Sequence, residues 1–448
     1  MDIEALARRG VEAVLAAGAG DAEGWCERST RRHIRVYGGE VESLSDAGSS
    51  GLGLRAFIDG RSGYAYGTDL SDDGVRSMAE AARAAAAVAD PDEYAGLPEE
   101  PGVTAVDGLE SPAAARWTNE DRVRLALAVE RAARSRPGVT QVENAVYSDS
   151  EGSAAIASSR GLSASYSATS AWAYASAFAG EGADLMTGMG IGLGRDPGAL
   201  DAEAIGHEAA DRALELVGAR RTGSRRCPVI LDAFVAASFA GFIGSMLSAD
   251  AVQRGRSLFA EREGEQVAGS AWVLADDGRH PEGPSSAPFD GEGTATRRTP
   301  LVEDGRLAGF LYDARTARRA GRASTANGMR GSYRAPPTVG PTNLLLEPGE
   351  ASLEELFQQA DDGLYVTEVS GLHSGVNPVS GTFSVGATGR LIEGGELGAP
   401  VREMTIAGDL VEMLRNVRAV GSEPRWVPFG GSVKAAAVLI GEMAVSGS

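Results

Sequence analysis

Cysteine, histidine, lysine and aromatic residues are scarce in this sequence, long apolar runs are missing, and each shortage removes a class of reading. The two cysteines, Cys26 and Cys227, stand far apart, each in a strand-like stretch. Two lone thiols make no disulfide framework; they point to buried packing in a reducing compartment, so a cytoplasmic setting is expected. No run reaches the roughly 18 apolar residues of a spanning helix, so no membrane partner is expected. The opening MDIEALARRGVEAVLAAG sets Ile3, Leu6, Val11, Val14 and Leu15 on one helical face. It lacks the basic start and apolar centre of a signal peptide. Positive charge is short as well: 42 Lys and Arg against 62 Asp and Glu give a formal net charge of -20. Such a surface repels phosphate backbones, which excludes nucleic acid as an expected partner.

Small residues are what is abundant. Sixty glycines with 6% aromatics imply tight turns and close backbone packing, while 43% hydrophobic and 23% charged residues are ordinary for a globular chain. At 448 residues the chain exceeds one ordinary core, so two domains are expected. Residues 1–222 read as an α+β domain. Its helices lie near 3–17, 71–88, 118–134 and 201–217. Its strands include 25–37 and a hairpin about Asp59-Gly60, and an antiparallel meander over 139–194 is broken at Glu151-Gly152, Arg160-Gly161 and Gly180–Gly182. Residues 223–448 read as a mainly-β domain with few helices: short helices at 352–359 and 409–417, and strands at 363–369, 382–393 and, last, 435–440.

The stretch 227–259, CPVILDAFVAASFAGFIGSMLSADAVQRGRSLF, reads as a buried strand, an apolar helix and a polar turn. Ala236, Ala237, Ser238, Ala240, Gly241, Gly244 and Ser245 keep that helix slim, a property suited to tight packing or to a cleft. Nothing between Val235 and Ser248 could ligate a metal or act as a general base. Elsewhere, His207-Glu208 opens HEAAD, but a zinc helix needs a second histidine one turn on, where Asp211 and Arg212 stand. GMGIGLG (188–194) is followed by Arg195-Asp196-Pro197 and not by a helix, so it reads as a strand that lets backbone come close and not as a phosphate loop. In SGLHSGVNPVSGTFSVG (370–386), His373, Asn377 and Ser380 are polar groups in a glycine-rich loop, readable as a ligand-positioning loop or as turn chemistry.

Four segments, 38–71, 147–167, 371–397 and 400–421, resemble the TldD/PmbA family, sometimes labelled modulators of DNA gyrase, in order and over nearly the full chain. GLHSGVNPVSGTFSVGATGRLIEGGEL and PVREMTIAGDLVEMLRNVRAVG resemble its PmbA/TldE branch. The resemblance implies a two-domain fold working as a dimer. It also implies a TldD-type partner subunit: a zinc metallopeptidase with HExxxH on one helix and a cysteine ligand near its C-terminus. Setting RGRSLF (254–259) against that branch puts the three motif positions on Ala240, Gly241 and Ser245, and no cysteine follows Cys227. Alanine and glycine ligate nothing, one hydroxyl cannot replace two imidazoles and a thiolate, and no glutamate is left to activate water. The resemblance therefore implies a non-catalytic TldE-type subunit of a heterodimeric peptidase, with no metal of its own and zinc in the TldD-type partner. Its substrates would be unfolded proteins or peptides, precursors of ribosomally made natural products among them. They would be held as an added strand, with His373, Asn377 and Ser380 as candidate substrate-binding residues. A homodimeric peptide-binding or regulatory protein without peptidase activity stays open, as does an independent enzyme using His373, Ser380 or Cys26.

Overall fold

A computed structural model describes residues 2–428 and 431–447. The first half runs α1 (Ile3–Ala16), β1 (Asp21–Tyr37), β2 (Glu40–Ile58), β3 (Arg61–Gly67), α2 (Asp72–Val88), α3 (Asn119–Ser135), β4 (Val139–Ser158), β5 (Ser163–Ala179), β6 (Met186–Gly194) and α4 (Ala202–Leu214). The helices start where side chains satisfy their first N–H groups. Asp2 accepts from Glu4 and Ala5, Ser71 from Gly74 and Asp201 from Ala204, and Thr118 with Asp121 forms a reciprocal capping box. Asp59 and Gly60 both take positive φ, 48° and 71°, as a two-residue hairpin requires.

The six strands make one antiparallel sheet in the order β3-β2-β1-β4-β5-β6. Its central strands are long enough to carry two helix pairs side by side on one face. Helices α1 and α2 cover Ala22, Cys26, Leu54 and Ala155; α3 and α4 cover Ile34, Tyr147 and Ala173. The opposite face turns Glu23, Trp25 and Ile156 toward the second half. The expected break at Glu151-Gly152 does not form. Strand β4 runs through it because Gly152 is laddered on both sides, to Ser29 and to Ala168. The alternating glycines of β6 do admit backbone: a Cβ on Gly188 would sit 2.3 Å from the Ala209 carbonyl oxygen of α4.

The second half runs β7 (Arg225–Leu231), α5 (Ala233–Met246), α6 (Ala249–Gln253), β8 (Leu274–Asp277), β9 (Arg298–Glu303), β10 (Arg306–Leu307), α7 (Ala314–Ala320), β11 (Gly328–Met329), β12 (Thr338–Val339), β13 (Asn343–Leu346) and α8 (Leu353–Ala360). It continues with β14 (Gly363–Ser370), α9 (Leu372–Gly375), β15 (Thr382–Glu393), β16 (Glu396–Asp409), α10 (Leu410–Arg415), β17 (Val417–Val420), β18 (Arg425–Val427), β19 (Ser432–Ala435) and β20 (Val438–Ser446). One sheet has the order β10-β9-β8-β13-β19-β18; another has β16-β15-β14-β7-β20-β17 and curls so that β16 also pairs with β20. The expected last strand, 435–440, is thus two. Ala435 ends β19 in one sheet and Val438 begins β20 in the other. Helix α5 lies between the two sheets, packed on β13, β18 and β19 on one side and β7 and β14 on the other. That position explains why it is apolar nearly all round.

Candidate functional site

Helix α5 begins where Asp232, closing β7, accepts a hydrogen bond from Phe234 N at 2.9 Å. Packing then divides the helix into faces. Ala240 is fully buried and Gly241 is buried, whereas Ser238, Phe242 and Ser245, spaced four and three residues apart, make up its accessible stripe. Phe239 meets Phe383 of β15 edge-on, ring centroids 5.8 Å apart. The two hydroxyls of the stripe are turned back on the helix: Ser238 donates to the Phe234 carbonyl at 2.8 Å and Ser245 to that of Phe242 at 2.6 Å. The three positions assigned to a zinc motif therefore do not converge on open space, since Ala240 faces the core and Ser245 faces outward. Their donor set does not fit zinc, and among the described residues no three His, Cys, Asp or Glu side chains converge as metal ligands. Neither thiol is poised for nucleophilic work: burial pushes Cys26 up to about 12 and raises Cys227.

The glycine-rich loop lands beside this helix. Leu258 N, in the RGRSLF segment, donates to the Pro378 carbonyl at 2.8 Å, and Leu410 N donates to that of Gly381 at 2.8 Å. The fold thus gathers α5, 254–259, 371–386 and the start of α10, which are distant in sequence. Within the loop the candidate residues divide. His373 is exposed on α9. The Asn377 Oδ1 accepts from Val379 N and Ser380 N at 2.9 and 3.1 Å, and Ser380 Oγ lies 2.8 Å from Thr382 Oγ1. Asn377 and Ser380 are engaged in shaping the turn. A shallow groove of about 490 Å³ runs along Ser374, Asn377, Pro378 and Ser384.

A deeper cavity of about 340 Å³, which the sequence did not reveal, opens on the accessible stripe of α5 where the two halves meet. Its walls come from β5, β6, α4, α5 and β14. Arg212 of α4 forks onto both Asp232 oxygens at 3.3 Å and donates to the Thr367 carbonyl at 2.9 Å. Asp232 also accepts from Tyr365 Oη at 2.9 Å. The Phe234 ring is held between the Arg212 and Arg425 guanidinium groups, 4.6 and 4.4 Å from its centroid. Strand β14 shifts register between Val366 and Glu368, so Thr367 is the extra residue and Glu368 is turned toward the cavity. No local motif marks this arrangement; Arg212 is visible in the sequence only as the residue that spoils HEAAD as a zinc helix. Glu208 of the same stretch pairs with Arg425, and His207 lies 3.4 Å from Ser135 Oγ; among the described residues neither belongs to a group of three metal-ligating side chains.

A second buried charged cluster joins the halves. Glu23 is bonded by Arg55, at 2.6 Å, and by Arg330, while Glu292 lies 3.3 Å from Arg55. Arg330 also donates to the Gly291 carbonyl at 2.6 Å and stacks over the Trp25 ring. Asp290 accepts from the backbone of Glu292, Thr294 and Gly328. Burial raises the Asp290 and Glu292 carboxyls, against the pull of those N–H groups and of Arg55. The cluster is structural in character, since its carboxylates are spent on internal donors.

Comparison with known proteins agrees with this architecture. Residues 224–447 match the PmbA/TldA metallopeptidase C-terminal domain, 26–86 its domain 1 and 113–217 its central domain. The metalloprotease PmbA of Escherichia coli O157:H7 is 28% identical over 439 residues, 97% of this chain and 94% of that protein. A metalloprotease of Archaeoglobus fulgidus is 32% identical over 263 residues, 54% of this chain and 60% of its own. Among solved structures, a candidate modulator of a DNA gyrase from Thermotoga maritima superposes with a TM-score of 0.90 at 28% identity, covering 99% of this chain and 100% of the other. TldE from Thermococcus kodakarensis superposes with a TM-score of 0.90 over 99% of each chain; at 24% identity that likeness concerns the fold.

Proposed function

Because the chain belongs to the PmbA/TldD metallopeptidase family, we propose that it is the non-catalytic, TldE-type subunit of a TldD–TldE heterodimer, with zinc held by the TldD-type partner. The observation that carries this reading is the chemistry of α5. Ala240 and Gly241 bring no donor atom, and the Ser245 hydroxyl is spent on its own helix. No hydrolytic step is assigned to this chain, whose part is to hold substrate. In this reading residues 1–222 and 223–448 act as two units. An unfolded protein or peptide, a precursor of a ribosomally made natural product being one case, lies along the accessible stripe of α5 and the groove of the 371–386 loop. A strand-rich surface favours recognition through peptide backbone over side-chain selection. His373, exposed beside the groove, is free to meet such a substrate; Asn377 and Ser380, also exposed, shape the loop and stand along the same path. The setting proposed is the cytoplasm.

The test is zinc content and cleavage of an unfolded protein by the purified chain, alone and mixed with the TldD-type protein of the same genome. The expected result is an inert, zinc-free chain that co-elutes with its partner in an active, zinc-containing complex. Cleavage by the chain alone, or stoichiometric zinc in it, overturns the reading. Peptide binding by a stable homodimer that ignores any TldD-type protein favours a homodimeric binding protein.

A further inference from the structure

The cavity at the junction of the halves contains one charged group with nothing to do. Arg212 is neutralised by Asp232, and Asp232 has its lone pairs taken by Arg212, Tyr365 and Phe234 N. Arg425 is neutralised by Glu208. Glu368 remains: its side chain stands exposed at the cavity mouth, where the bulge at Thr367 places it, and among the described residues no hydrogen bond or ion pair reaches its carboxylate. The neighbouring hydroxyls are acceptors in waiting. Ser238 gives its proton to the Phe234 carbonyl and Ser176 gives its own to Glu143 at 3.0 Å. Each keeps lone pairs for a guest. Summing the charges of Arg212, Arg425, Asp232, Glu208 and Glu368 leaves one negative charge uncompensated.

A pocket with one spare carboxylate and several hydroxyl acceptors suits a small cation with several N–H donors. The geometry points to Glu368 as the anchor of a primary-ammonium subsite, which receives either the free N-terminus of a bound peptide or a lysine side chain. An ammonium offers three donors on one centre, enough for Glu368 and two hydroxyls at once. A guanidinium would present a planar fork, for which there is no second free carboxylate. The volume, about 340 Å³, holds one residue and not a folded segment. Because Ser238 both lines the cavity and begins the accessible stripe of α5, a peptide on that stripe delivers one end or one side chain to Glu368. Partial desolvation on its cavity side raises the Glu368 carboxyl and Arg212 opposes this; a bound ammonium would oppose it further. The inference rests on the peptide-holding role proposed above.

The experiment is fluorescence-anisotropy titration of the full chain, and of its complex with the TldD-type protein, with labelled Ala/Ser peptide amides of about ten residues. The peptides have a free N-terminus, an acetylated one, or an acetylated one with a single internal lysine or norleucine. The free amine should bind about tenfold tighter than the acetylated peptide, and Glu368→Gln should erase that difference while melting as the wild type does. Met189→Trp, which fills the cavity, should do the same. Lysine rescue of the acetylated peptide, with no rescue by norleucine, identifies the side chain as a second source of the cation. Equal binding of all peptides to wild type and Glu368→Gln overturns the subsite and leaves the peptide-holding role intact. If no peptide binds, that role fails, and n-butylammonium decides the subsite by NMR. Shifts abolished by Glu368→Gln uphold it, and no shifts overturn it.

Discussion

Replacing Arg330 with methionine tests whether the buried charged cluster holds the halves together. The Arg330 side chain is 1% exposed. It pairs with Glu23, donates to the Gly291 carbonyl at 2.6 Å and to the Ala335 carbonyl at 3.3 Å, and sits 5.1 Å from the Trp25 ring centroid. Methionine keeps much of the bulk and removes the charge and the donors. Stranding one partner of a buried pair costs about 3–5 kcal/mol. Glu23 keeps Arg55 at 2.6 Å, so the lower end applies to it, and the orphaned Gly291 carbonyl adds about 1 kcal/mol. A loss of about 4 kcal/mol is therefore expected, on the order of a 10 °C fall in Tm for a unit of a few hundred residues. Urea unfolding at neutral pH, followed by far-UV circular dichroism and by tryptophan fluorescence, measures it. Adding Glu23→Gln to Arg330→Met should return at least about 1 kcal/mol, because it removes the stranded charge and not merely a contact. A loss under about 1 kcal/mol, or a double variant no better than the single, refutes the reasoning.

Two further outcomes follow from buried groups. Ala240→His, Gly241→Glu and Ser245→His together should give less than about a tenth of an equivalent of zinc after dialysis, since the thiolate and supporting hydrogen bonds are missing. The triple variant should also lose about 1–3 kcal/mol from overpacking at position 240; tight stoichiometric zinc in a stable protein would show the helix face to be wrongly assigned. Asp276 is fully enclosed, accepts from Thr342 and Asn327, and is pushed up to about 6 by burial, which those donors oppose. With a folded value above the unfolded one, its contribution is complete below about pH 4 and is lost as the pH rises through about 6. The destabilisation caused by Asp276→Asn should therefore be largest near pH 4 and diminish toward pH 7, by up to about 1.4 kcal/mol per pH unit across the window. Urea midpoints at three pH values that run parallel, or diverge upward, would contradict this.

What could be read from residues alone is what local chemistry controls. Helix starts at Ser71, Thr118 and Ser352 were legible because a capping side chain acts within three residues. The Asp59-Gly60 hairpin was legible for the same reason. The supposed break at Glu151-Gly152 was misread because a turn-like dipeptide is overruled when both neighbouring strands ladder onto it. In the loop, Asn377 and Ser380 look equally suited to ligand or turn; their bonds to Val379 N, Ser380 N and Thr382 Oγ1 became visible only in the structure.

At 240, 241 and 245, the positions the resemblance gives to the zinc motif, the sequence encodes Ala, Gly and Ser, and a donor atom that is not encoded cannot be supplied by any fold. The cavity was not legible in this way. Asp232, Thr367 and Glu368 are brought to one place by β7 pairing in parallel with β14 and by a one-residue bulge in β14, and Arg212 reaches them from α4. Register and bulge are set by which apolar faces the two sheets bury against α5, a global condition that no single stretch of sequence expresses. The sequence by itself determined what this helix cannot do; the tertiary structure decided which charge was left over beside it.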